Sequence, residues 1–278
     1  MHNIGWTWQQ AGLLAVALGV VSLALRRADV PRLRPLTPFA TESCLIAALY
    51  SIWQLAGELS VTGTSGAFER GGWIERAERD WHLPAEAAVQ RLILAHPLVT
   101  EAANLYYATM HFGMLFVFLL WLFVAHRERY TSVRTTLALT TLACLVIQLL
   151  PVAPPRLLGG YVDTAARYGQ SVYTLGIDAD QFSAMPSVHV AWAVLIGWYA
   201  VRIGRSRWRW LAVAHPVLTV FVVVATANHF WLDGIVAVAV LVSCAWTQRG
   251  ARAALAAARA GLWTGARGPA AATSAARA

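Results

Sequence analysis

Seven apolar stretches run through this chain, near 4–25, 39–61, 102–125, 135–153, 186–203, 210–228 and 230–247. Each is close to the ~20 residues that a helix needs to cross a bilayer. The composition agrees, because only 13% of the 278 residues are charged, about half the ~25% of an ordinary soluble domain. A soluble globular enzyme, a disulfide scaffold and a disordered protein are all excluded. The expected fold is all-α, a polytopic membrane helix bundle in a single domain.

The charged residues give the expected orientation. The net charge is +8, and every basic residue is Arg. The arginines sit in short clusters between the apolar runs and form no single basic face, which fits a topology signal rather than a nucleic-acid partner. Sixteen of them follow spans one, three and five or lie in the tail, and six fall on the other side. An excess of basic residues marks cytoplasmic loops, so the N-terminus is expected outside and the C-terminus inside, in a plasma membrane. Residues 4–25 have their charges, Arg26 and Arg27, after the apolar run, the layout of an uncleaved anchor rather than a cleavable signal. Trp and Tyr near the span ends fit an aromatic belt.

Three regions follow: an anchor span with its basic loop at 1–38, a core at 39–248 and an Ala/Arg-rich tail at 249–278. Within the core, residues 66–98 mix charges with apolar residues at helical spacing. They are expected to form interfacial helices on the outer surface, with Pro84 in the first turn of the second; a partner-binding groove is the alternative. Cys44, Cys144 and Cys244 fall in separate apolar runs without metal-ligand or redox spacing and read as small core residues.

Three polar constellations converge at the outer face. His229 and Asp233, four residues apart, share a helix face. The carboxylate can orient the imidazole and leave its other nitrogen as a nucleophile or base; a structural His–Asp pair is the plainer reading. Pro186, at a first helical position, would leave the amides of Ser187, Val188 and His189 to cradle an anion, with His189 as a proton donor. An ordinary helix start with a lone histidine fits the same residues. Arg156, after Pro154 and Pro155, could clamp phosphoryl oxygens or be an interfacial snorkelling arginine. Together these are the parts of a metal-free phosphoryl-transfer site.

Ala184-Met185-Pro186-Ser187-Val188-His189 resembles the Pro-Ser-x-His motif of the type 2 phosphatidic acid phosphatase superfamily, and His229 with Asp233 resembles its last motif, His-xxx-Asp. The stretch from about Phe68 to Ala239 is similar to the branch that includes inositol phosphorylceramide synthases and many actinobacterial membrane proteins. The resemblance implies a six-helix phosphatase-type core, here spans two to seven, with span one as an extra N-terminal span. It implies that His229 attacks phosphorus to form a phosphohistidine, that Asp233 orients it, and that His189 protonates the leaving group. Ser187 and nearby amides would hold the oxygens, with no metal or other cofactor. The substrate implied is a membrane lipid phosphate at the outer leaflet.

The sequence departs from the pattern at Leu149 and Leu157 in the first motif, and at Val222 and Val223 ahead of His229. Arg156 is thus the one obvious cationic clamp, which favours a diester or a phosphotransfer over a doubly charged monoester. Tyr107 and His111, one turn apart, could meet a head group or form a structural pair. Asp163 could orient Arg156 or simply sit in a turn. Glu42 and Glu58 flank span two as interfacial residues. Two competing readings are a non-catalytic lipid-binding or transport bundle, which the clustering of polar groups at one edge disfavours, and an intramembrane metalloenzyme using His111, His189, His229 and Asp233, for which no metal signature is present.

Overall fold

A computed structural model describes residues 6–28, 30–61, 65–169 and 181–265. Ten α-helices lie among them: α1 Trp8–Ala28, α2 Leu36–Val61, α3 Ala67–Asp80, α4 Glu86–Leu94, α5 Pro97–Ala125, α6 Arg127–Gln148, α7 Thr164–Tyr168, α8 Val188–Ile203, α9 Ala214–Ala225 and α10 Trp231–Gly265. Among the described residues no strand forms, and the one β-bridge pairs Val152 with Ser183. The fold is an all-α polytopic bundle.

Five helical segments are long and apolar enough to cross a membrane: α1, α5, α6, the run Arg207–Ala225 that ends in α9, and α10. The other two expected spans are helices as well. α2 has 26 residues, its apolar run diluted by Glu42, Gln54 and Glu58. α8 has 16 residues, about 24 Å at 1.5 Å per residue, so it reaches less far than a ~30 Å core. The large side chains Leu13, Val16, Phe116, Val117, Leu120, Val124, Val217 and Val242 remain exposed on these helices, where lipid rather than water would cover them.

Several boundaries differ from the sequence reading. The fourth span ends at Gln148 instead of 153, because Pro151 cannot continue the ladder. The sixth opens with a 3-10 segment, Arg207–Val213, ahead of α9. The seventh continues through the expected tail to Gly265. The first residues of the span expected at 4–25 and the tail beyond 265 lie outside the described residues.

The core joins α5, α6, α8 and α10 through Phe118, Leu122, Val133, Cys144, Trp192, Leu195 and Leu241. The hairpin of α1 and α2 lies at its flank and is held by small residues and side-chain-to-backbone bonds, as helices in lipid commonly are. Cys44 Sγ meets Ala15 O at 3.2 Å and Ser51 Oγ donates to Trp8 O at 2.7 Å. Glu42 accepts from Tyr130 at 3.1 Å and pairs with Arg134 on α6, so it is a tie between helices and more than an interfacial residue. Glu58 accepts from Trp8 Nε1 at 2.9 Å. All three cysteines are free thiols.

Helices α3 and α4 close one end of the bundle. Pro84 lies just before the N-cap, Ala85, instead of in the first turn of α4, and its carbonyl accepts from Trp231 Nε1 at 2.7 Å. Ile74 of α3 is buried with Val152, Ala184, Phe230 and Leu232. Against the segment after α6, Ala153 N donates to Ala67 O at 3.0 Å and Arg70 Nε to Pro151 O at 2.6 Å.

Candidate active site

His229 occupies the turn between α9 and α10 and is 3% exposed. Its Nδ1 lies 2.8 Å from Ala184 O and 3.3 Å from Asp233 Oδ2. A carbonyl oxygen can only accept, so Nδ1 carries the proton and donates. The lone pair is thereby left on Nε2, which faces Nδ1 of His189 at 3.3 Å. The tautomer follows from two acceptors aimed at one nitrogen, and it is the tautomer that nucleophilic attack by Nε2 requires.

Asp233 has no exposed surface. Its Oδ2 accepts from Phe230 N at 2.8 Å in addition to facing His229, and its backbone carbonyl accepts from Ser187 N at 3.1 Å. The start of α10 is therefore bonded directly to the start of α8. Ser187 is the N-cap of α8 and its hydroxyl accepts from Val190 N at 3.4 Å. Pro186 thus precedes the cap and is not the first helical residue, and the Ser187 amide is already engaged. Of the three amides expected to form an anion cradle, those of Val188 and His189 remain at the helix end. Gln148 fixes this approach by donating to Pro186 O at 2.9 Å.

Arg156 is buried. Its Nε donates to Asn228 Oδ1 and its Nη1 to Asp163 Oδ2, both at 3.0 Å, while its backbone N donates to Ala227 O at 2.8 Å. The guanidinium is therefore anchored on Asn228 and Asp163, and the backbone on Ala227, which is not the behaviour of a snorkelling side chain. Asp163 also caps α7 by accepting from Ala166 N at 2.9 Å, so it is a turn residue and an arginine partner at once. Tyr107 and His111 project from α5 onto His189, with ring centroids 4.8 and 4.1 Å from its ring.

All eight sequence-predicted residues thus belong to one end of the bundle: His229, His189, Asp233, Ser187, Tyr107 and His111 in mutual contact or one residue removed, and Arg156 with Asp163 tied to them through Asn228. Sequence reasoning gave no role to Asn228, although it adjoins His229, nor to Gln148, whose polarity inside an apolar run was the available signal. It also passed over Glu78 of α3, whose Oε1 accepts from Leu232 N at 2.6 Å. Glu78 and Glu86 are each 3% exposed. Burial, followed by the neighbouring Glu86 side chain, pushes the Glu78 carboxyl up to about 9, so near neutral pH Glu78 holds its proton beside the start of α10. Among the described residues no three His, Cys, Asp or Glu side chains are grouped so as to hold a metal ion.

A family model described as the PAP2 superfamily matches residues 72–247. The chain belongs to the PAP2 superfamily. The matched stretch begins within α3 and ends within α10, so α1 and α2 lie outside it. No curated protein and no solved structure matches the chain. Membership of the PAP2 superfamily suggests a phosphatase-type enzyme acting on phosphate substrates, and every residue of the candidate site falls inside the matched stretch.

Proposed function

We propose that this PAP2 superfamily protein is an integral-membrane lipid phosphate phosphatase or phosphotransferase whose site faces the outer side of a plasma membrane. The observation that carries the reading is the bonding of His229, with Nδ1 held by Ala184 O and Asp233 and Nε2 left as the lone-pair atom opposite His189. In the first step Nε2 attacks phosphorus, the bond from phosphorus to the leaving oxygen breaks, and His189 gives that oxygen a proton. The product is a phosphohistidine, whose developing positive charge Asp233 stabilises. In the second step His189 takes a proton from water or an alcohol, whose oxygen attacks phosphorus and releases His229.

The 3.3 Å between the two imidazoles leaves no room for a phosphoryl group, so substrate entry must separate the two rings. Arg156, fixed by Asn228 and Asp163, supplies the positive charge for the phosphoryl oxygens. With Leu149, Leu157, Val222 and Val223 where the superfamily pattern has polar or cationic residues or a proline, a singly charged diester suits the site better than a doubly charged monoester. Transfer to an alcohol acceptor, as in the synthase-like branch, fits this balance of charge.

The test is phosphate release by the purified protein from phosphatidic acid, prenyl diphosphates and phosphatidylinositol, with head-group transfer to added alcohols followed in parallel. Release or transfer that is lost in His229→Ala supports the reading. Substrate flux across proteoliposomes that survives loss of both histidines would replace it with transport.

A further inference from the structure

At the opposite end of the bundle from the histidines lies a cavity of about 820 Å³, within the range of small-molecule sites. Six arginines line it: Arg129 from α6, Arg202 from α8, Arg205 and Arg209 from the connection that follows, and Arg249 and Arg252 from α10. Three regions distant in sequence thus bring guanidinium groups to one concavity. Among the described residues the single acidic group in its wall, Glu128, lies 4.0 Å from His126 and is largely exposed. Among the described residues none of the six arginines is ion-paired with a carboxylate. Two of them rest on aromatic rings, Arg202 over Trp198 at 5.3 Å and Arg209 over Trp210 at 5.4 Å, which positions each side chain without neutralising it.

A topology signal needs arginines on one side of the membrane, and Arg26, Arg27, Arg127 and Arg207 already contribute to it from outside this wall. It does not need them to converge on a cavity where their charges repel one another. Arg129 also stands in the first turn of α6, where the helix dipole disfavours a cation. Such an arrangement is relieved by an anion, and planar guanidiniums bind phosphoryl oxygens two at a time. The volume and the number of forks exceed what a lone phosphate uses.

We propose that this cavity binds an anion bearing two or more phosphoryl groups, at a site separate from the histidine centre and independent of its chemistry. The exposed Trp198, Trp208 and Trp210 nearby place the cavity at an aromatic belt and hence at head-group depth. The same chemistry is offered there by a lipid head group that bears two phosphates and by a soluble diphosphate.

The test uses the full chain carrying His229→Ala, which prevents turnover, in phosphatidylcholine nanodiscs. One arm titrates inorganic pyrophosphate by calorimetry, and the other counts diphosphatidylglycerol retained by the detergent-solubilised protein in native mass spectrometry. Arg205→Gln/Arg249→Gln removes two charges from the cavity, and Arg127→Gln/Arg207→Gln removes two from the same loops outside it. The expected result is binding in at least one arm, weakened about tenfold or more by the first pair and about twofold or less by the second. Pyrophosphate binding identifies a soluble ligand and lipid retention a head group. Should the first pair fail to fold, the single variants Arg205→Gln and Arg249→Gln carry the same comparison. No binding in either arm, or equal loss in both pairs, overturns the site.

Discussion

At the scale of single residues, the site is decided by what each nitrogen of His229 can do. Replacing His229 by Ala removes the proposed nucleophile, and turnover of any substrate is expected to fall to background while the protein still inserts and stays folded. Replacing His189 by Ala removes the proton donor and should lower kcat by about 10²- to 10⁴-fold. Steady-state kinetics on detergent-purified variants checks both, and wild-type rates in either would sink the mechanism. Asn228→Ala should weaken the hold on Arg156 and raise KM more than it lowers kcat, because the arginine loses one of its anchors while the histidines keep theirs.

Glu78 gives a prediction with a sign. Its carboxyl is raised from an ordinary 4.5 to about 9, so the folded state favours the protonated form. The stability this contributes is fully present below the ordinary value and is lost as pH rises through about 9. Its neighbours Glu86 and Asp233 are acidic too, and both push in the same direction. Thermal unfolding of the wild type should therefore shift to lower temperature between about pH 6 and about pH 10. Glu78→Gln keeps an acceptor for Leu232 N and cannot ionise, so its curve should be flatter over that interval. Parallel curves would show that this carboxyl does not titrate with folding.

At the scale of elements, α3 acts as a lid seated on the segment that leads to Arg156. Gly71 faces that segment, and a Cβ there would come 2.6 Å from Ala153 O. The obstacle is backbone, so α3 must shift. Gly71→Ala should cost about 1–3 kcal/mol, as overpacking does, and lower the unfolding temperature. Loss of affinity for substrate should accompany it, because Arg156 follows the displaced residues. A variant as stable and active as the wild type would mean that α3 does not hold this segment in place. The existence of α3 and α4 was legible in the charged and apolar residues at helical spacing over 66–98, but their closure over the site was not. That closure depends on Ile74 meeting Phe230 and Leu232, contacts across more than 150 residues that helical periodicity cannot register.

At the scale of the whole molecule, the orientation is the main expectation to test. In a cysteine-free background, Trp81→Cys should react with a membrane-impermeant maleimide on intact cells, and Arg207→Cys only after permeabilisation. The reverse pattern would place the site inside. The sequence by itself determined the all-α membrane bundle, since seven apolar runs with so few charges leave little else to form. It also singled out the histidines, Asp233 and Arg156 as candidates, because ionisable groups at the ends of apolar runs stand out against lipid-facing residues. What it could not determine was which atom does what. That Nδ1 of His229 donates depends on Ala184 O, 45 residues away; that Ser187's amide is spent depends on the carbonyl of Asp233. Hydrogen bonds between distant backbone groups leave no trace in side-chain pattern, so the tautomer, the arginine's anchorage and the buried Glu78–Glu86 pair were decided by tertiary structure alone.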